Sequence, residues 1–213
     1  MDKLKDLIKK FPIIAILRNT PDKDLEDYIN CLYEGGLRSF EVSFTTQNAV
    51  SQLKWMKQNM PKGTIIGAGT ILTEKNAAMA IDAGADYLLS PSTDEKILRY
   101  CRDNKIRFMP GVYSPSDVSA CLEYGYSTLK LFPAGHLPNG YIKSLKGPFP
   151  DTEYVAVGGV SPTNTIEYID EGFVGVGIGS SLIDKKLLEE KSWAMITNDI
   201  KHFLDRLKER NVL

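Results

Sequence analysis

The chain has 213 residues, enough for one α/β domain with a substantial buried core and near the short end for a closed barrel of eight strands and eight helices. Twenty-six basic residues against 27 acidic ones leave a net charge of −1, so no basic excess marks a nucleic-acid surface and no acidic arm marks a partner site. The three cysteines, Cys31, Cys101 and Cys121, are widely spaced and lack any Cys-x-x-Cys pair or Cys/His cluster, which reads as reduced thiols and sets aside a zinc site.

The opening MDKLKDLIKKF is amphipathic and charged, without the apolar stretch of a signal peptide. It predicts an extra helix over the first ten residues, packed on the body of the protein. No later run is long enough to span a membrane, which predicts a cytoplasmic protein. Eight short apolar runs then follow: PIIAIL (12–17), SFEVSF (39–44), TIIGAG (64–69), DYLLS (86–90), RFMPG (107–111), TLKLF (128–132), YVAVGG (154–159) and VGVGIG (174–179). Continuous apolar runs of this length suit parallel strands buried on both faces. Amphipathic stretches separate them. Thr20-Pro21-Asp22, Thr73-Glu74, Thr93-Asp94-Glu95, Ser114-Pro115-Ser116-Asp117 and Ser161-Pro162-Thr163 carry helix-start chemistry. Gly35-Gly36, Gly84, Gly125 and Gly172 stand where helices should close. The run Lys191–Arg210 reads as the eighth helix. Eight strand–helix units in so short a chain favour a (β/α)8 TIM barrel with an extra N-terminal helix, one domain over residues 1–213.

In such a barrel the chemistry sits at the C-terminal ends of the strands. Asp86 opens its strand and so belongs to the far, structural end. Arg18, Glu41, Thr70, Pro91, Lys130, Phe132, Gly158, Gly159, Gly179 and Ser180 lie at or near the chemical end. Lys130 interrupts an apolar strand, where desolvation lowers an amine's pKa toward the neutral form that attacks ketones. A lysine reaching past its strand into solvent would give the same pattern. Glu41 alternates inward along its strand, where it would make an acid/base pair with the lysine or a buried ion pair with a structural role. Gly158-Gly159 and Gly177–Ser180 end the last two strands, the usual phosphate site of this fold, although each glycine pair alone would also serve a tight turn. His136, in the loop after the sixth strand, is a weaker candidate for touching a ligand, and His202 reads as solvated.

The ordered segments IAILR (14–18), GGLRSFEVSF (35–44), IIGAGTIL (65–72), LLSPS (88–92), MPGVYSPSD (109–117), LKLFPA (129–134), IKSLKGPFP (142–150), VGGVSP (157–162) and GIGSSLI (177–183) resemble the 2-keto-3-deoxy-6-phosphogluconate (KDPG) and 4-hydroxy-2-oxoglutarate (KHG) aldolase family. The resemblance spans about residues 12–184. It implies a class I aldolase, a lyase that joins a lysine to a 2-keto acid as a Schiff base, uses no metal or other cofactor, and assembles as a homotrimer. It implies cleavage of KDPG to pyruvate and glyceraldehyde 3-phosphate. By position Lys130 matches the Schiff-base lysine and Glu41 the acid/base glutamate. Thr70 matches a carboxylate-binding threonine, Pro91 and Phe132 match pocket walls, and Gly158, Gly159 and Ser180 match phosphate-binding positions. Two positions depart from the common pattern. Thr45 stands where many members have an arginine, and Arg18 is positioned to supply that cation to the carboxylate. Val157 stands where many KDPG-specific members have a threonine suited to a substrate hydroxyl. The carbon-4 epimer of KDPG and the unphosphorylated KHG therefore stay open as substrates. On motif grounds alone, a phosphosugar epimerase or isomerase and a non-catalytic phosphometabolite-binding protein are the rival readings.

Overall fold

The computed structural model describes residues 3–213, so the first two residues of the expected N-terminal helix lie outside the described residues. Nine parallel strand segments form one sheet: β1 (Ile13–Leu17), β2 (Ser39–Ser43), β3 (Ile65–Gly69), β4 (Leu88–Leu89), β5 (Phe108–Met109), β6 (Gly111–Val112), β7 (Thr128–Leu131), β8 (Glu153–Val157) and β9 (Gly175–Ile178). β5 pairs with β4 and β6 pairs with β7, and β5 and β6 flank Pro110. Proline has no N–H to give to the ladder, so the fifth predicted strand is cut in two while its chain continues. β1 pairs with both β2 and β9, and the ring closes as a barrel of eight staves.

Side chains on alternate positions fill the barrel. Ile14, Ile16, Tyr87, Leu89, Met109, Val155 and Val157 form an interior cluster with Leu4 and Ile8 of α1 (Lys3–Lys10). That helix therefore closes the N-terminal mouth, and its Lys5 meets Glu153 of β8 at 2.8 Å. The other strand faces pack against the helical ring in the larger core. α2 (Leu25–Glu34) and α10 (Trp193–Glu209) meet where Gly35 has no side chain, since a Cβ there would lie 2.6 Å from Ile200.

Local chemistry accounts for the helix ends. Thr73 and Asp94 accept backbone N–H bonds at the starts of α4 (Glu74–Asp82) and α5 (Glu95–Asp103). Ser114 and Asp117 form a reciprocal capping box on α6 (Pro115–Glu123). Gly36, Gly84, Gly125 and Gly172 all have positive φ, as helix-closing glycines should. Three helical expectations need correction. Ser161-Pro162-Thr163 forms a turn rather than a helix start, because the Asn164 side chain accepts the Ser161 N–H, and α8 (Thr165–Asp170) begins later. Before the last helix, Asp184 caps an additional helix, α9 (Lys185–Glu189). The Thr20-Pro21-Asp22 start leads first into a short 3-10 turn, Asp22–Asp24, before α2.

Candidate active site

Lys130 lies on β7, beside Gly111 of β6 and Val155 of β8, and only 4% of it is exposed. Burial pushes its amine below the ordinary lysine range; the positive field of Arg18 adds to this, while Glu41 opposes it. Its Nζ sits 5.2 Å from the centre of the Phe132 ring. That ring has room because glycine follows the next strand, β8, and a Cβ on Gly158 would come within 3.0 Å of it.

Glu41 lies on β2, between Ile16 of β1 and Gly67 of β3, and is 2% exposed. Its carboxylate occupies the space that a side chain on Gly69 would need. Burial pushes its pKa up, and Lys130 and Arg18 pull it back. Its Oε2 is buried without a hydrogen-bond partner among the described residues. A buried carboxyl oxygen left unpaired costs free energy, and such groups gather where chemistry is done. The two shifts have one sense: burial disfavours both the ammonium of Lys130 and the carboxylate of Glu41.

Near this pair, past Phe132 and Arg18, opens a cavity of about 830 Å³. Arg18, Phe132, Val157, Gly158, Gly159, Gly179 and Ser180 line it. Neither Lys130 nor Glu41 lines it; the link is through their neighbours, since Phe132, whose ring centre is 5.2 Å from the Lys130 Nζ, and Ile16, beside Glu41 in register, both do. Gly158 and Gly159 both have positive φ, a conformation glycine adopts without penalty. Gly159 also lets the Gly135 backbone come close, with a hypothetical Cβ only 2.7 Å from Gly135 Cα. The helices after these loops, α8 and α9, have only six and five residues, so neither brings a long helix dipole to the opening.

On the other side of Glu41, Thr70 follows β3 with φ 60, unusual for a β-branched residue and a form of strain that collects at functional sites. Its hydroxyl lies 3.2 Å from that of Ser43, which lies 3.0 Å from that of Thr45. Gly111, in register with Lys130, lets the Pro91 backbone come close. His136 is exposed and does not line the large cavity, and Asp86 sits away from it, accepting the Ile66 N–H and binding Lys57 at 2.8 Å. Ser43 and Gly69 escaped the sequence reading. The signal for Ser43 was its place two residues after Glu41, on the same strand face.

Residues 4–199 match the family of KDPG and KHG aldolases. The chain is 30% identical over 210 residues to the 2-dehydro-3-deoxy-phosphogluconate aldolase of Haemophilus influenzae, covering 98% of this chain and 96% of that one. It is 30% identical over 175 residues to the 2-dehydro-3-deoxy-6-phosphogalactonate aldolase of Escherichia coli, covering 81% and 85%. Among solved structures it resembles the KDPG aldolase of Legionella pneumophila with pyruvate captured as a covalent carbinolamine, at 27% identity and a TM-score of 0.85, covering 93% and 97%.

Proposed function

The chain belongs to the KDPG and KHG aldolase family, and we propose from that premise that Lys130 forms the Schiff base and Glu41 moves the protons of a class I aldol cleavage. The observation that supports this reading most is the buried Lys130–Glu41 pair, close to a cavity that Phe132 and Arg18 line, with loss of water pushing both groups toward their neutral forms. The substrate is a 2-keto-3-deoxy-6-phospho acid, KDPG or its carbon-4 epimer, and the products are pyruvate and glyceraldehyde 3-phosphate.

The neutral amine of Lys130 attacks carbon 2. Protonated Glu41 delivers its proton as the carbinolamine loses water, which leaves an iminium and a carboxylate. The iminium draws in the electrons of the bond between carbons 3 and 4 as that bond breaks. Glu41, now a base, takes the proton of the carbon-4 hydroxyl, and the aldehyde departs. The enamine regains a proton at carbon 3, and hydrolysis releases pyruvate. Arg18 and Thr70 hold the carboxylate, which turns the ketone toward the lysine. Pro91, Phe132, Thr45 and Val157 shape the pocket. Gly158, Gly159, Gly179 and Ser180 take the phosphate. The lysine itself supplies the electron sink, so the reaction needs no metal or organic cofactor. An epimerase or a binding protein would have no need of a buried Lys–Glu pair. The reading extends to a single-domain homotrimer working in the cytoplasm, supported by the family resemblance. Among the described residues no helix is long and apolar enough to cross a membrane.

Borohydride reduction in the presence of pyruvate checks the imine. One lysine should gain a reduced pyruvyl group, and peptide mass mapping should place it on Lys130. Label on any other lysine, or none, would overturn the assignment.

A further inference from the structure

Ser43 is fully buried at the end of β2, two residues past Glu41 on the same strand face, and pairs in register with Gly69. Its backbone is clamped. The Ser43 carbonyl accepts the Thr46 N–H at 3.2 Å and the Thr46 hydroxyl at 2.9 Å, and the Phe44 N–H donates to Gly69 at 2.8 Å. Its hydroxyl therefore has a set place between two others, those of exposed Thr45 and half-buried Thr70. Burying a hydroxyl costs free energy unless it is hydrogen-bonded, and an alanine would fill the same strand position without that demand.

We propose that Ser43 is a positioning residue for the substrate carboxylate and acts through the Thr70 hydroxyl. The inference rests on the reading of Lys130 as the imine lysine and of Thr70 as a carboxylate contact. Proton counting gives it direction. Three hydroxyls carry three protons, and the two links between them use two. The third proton is left over, on Thr70, on Thr45 or, when both threonines donate to it, on Ser43. A carboxylate only accepts, so its arrival at Thr70 selects the order in which Thr45 donates to Ser43, Ser43 donates to Thr70, and Thr70 donates to the carboxylate. Linked donors polarise one another, and Thr45 stays in contact with solvent, which satisfies its remaining lone pairs. The strained backbone at Thr70 aims its side chain, and Ser43 holds its proton toward the ligand.

The experiment measures borohydride trapping on Lys130 against pyruvate concentration and, separately, against acetone, a ketone without a carboxylate. Ser43→Ala should raise the half-saturating pyruvate concentration about 3–10-fold, the worth of one hydrogen bond, and leave acetone trapping unchanged. Ser43→Cys keeps the volume and loses most of the hydrogen bonding, so it should behave like Ser43→Ala, whereas Ser43→Thr should restore the wild-type value. In a Thr70→Val background, Ser43→Ala should add less than about twofold, because the two residues act as one unit. An unmoved pyruvate curve overturns the proposal. So do an equal shift for acetone, wild-type behaviour of Ser43→Cys, failure of Ser43→Thr to restore binding, or an undiminished effect in the Thr70→Val background. Wild-type protein that traps neither ketone on Lys130 would overturn the imine reading and this proposal with it. A wild type that traps pyruvate while Ser43→Ala matches it would overturn this proposal alone.

Discussion

At Glu41 and Lys130, burial and the mutual attraction of the two charges pull in opposite directions, and the proposed roles depend on that balance. Each raises the other's tendency to ionise, yet both are pushed toward neutrality by loss of water. Proton linkage gives the sign. Lys130 has a folded pKa below its unfolded value, so between the two values the unfolded chain binds the extra proton, and this residue's contribution to stability rises with pH through that window. Glu41 has a folded pKa above its unfolded value, so its contribution falls as pH rises from the ordinary carboxylate range to the raised one. Glu41→Gln removes the group that favours the ammonium. The acid limb of the pyruvate-trapping profile should then move to lower pH, because the amine stays neutral further down. Turnover should fall by roughly 10²–10⁴ while the fold persists, the usual worth of general acid/base catalysis. Near-normal turnover would make Glu41 a structural partner of the lysine, and an acid limb moved upward would contradict the coupling.

The strands set where these groups stand through their small residues. β3 carries Gly67 and Gly69 on its inward face: the first gives room to the ring of Tyr87, the second to the Glu41 carboxylate. The register of β2 against β3 thus fits a large acidic side chain against an empty position. Gly69→Ala should displace the carboxylate and lower turnover about 10²-fold, the scale of an ångström-sized misplacement. Circular dichroism and steady-state kinetics together check this; a folded variant with wild-type turnover would show that the carboxylate has another place to stand. The same logic runs through the loops, where Gly158 makes room for Phe132 and Gly159 for the Gly135 backbone. The sequence marked these last two as turn or phosphate glycines, while Gly69 looked like part of an apolar strand. What separates them is the neighbour across the barrel, which a single strand does not name.

Across the whole molecule, the buried pair lies on β2 and β7 and the glycine loops follow β8 and β9, so under the proposed assignment the substrate spans the mouth of the barrel from its keto acid end to its phosphate end. Binding energy gathered at the phosphate, remote from the breaking bond, is available to position carbon 2 against the lysine. A 6-phosphorylated substrate should therefore exceed KHG in kcat/KM. Val157 presents only methyl groups toward the cavity, and a wall without a hydrogen-bond donor discriminates weakly between hydroxyl configurations. KDPG and its carbon-4 epimer should both be cleaved, and kcat/KM measured for all three compounds decides the matter. Preference for KHG would contradict the phosphate site, and strict selectivity for one epimer would require another group to read that hydroxyl.

Patterns that repeat along the chain were legible without coordinates. Apolar runs at strand length, capping residues such as Thr73, Asp94 and Ser114, and closing glycines act locally, and they determined the alternation, the barrel and the end of it that carries Lys130. The resemblance of the ordered motifs supplied the chemistry. The tertiary structure decided what depends on distance through space: that Glu41 leans over Gly69, that Pro110 splits one stave without opening the ring, that the Ser161 turn is held by Asn164, and that Ser43 links Thr45 to Thr70. These contacts join residues far apart in sequence or turn on the aim of a single side chain. Their physical basis is close packing inside a closed barrel, where the room each side chain has is set by strands that a local pattern does not see.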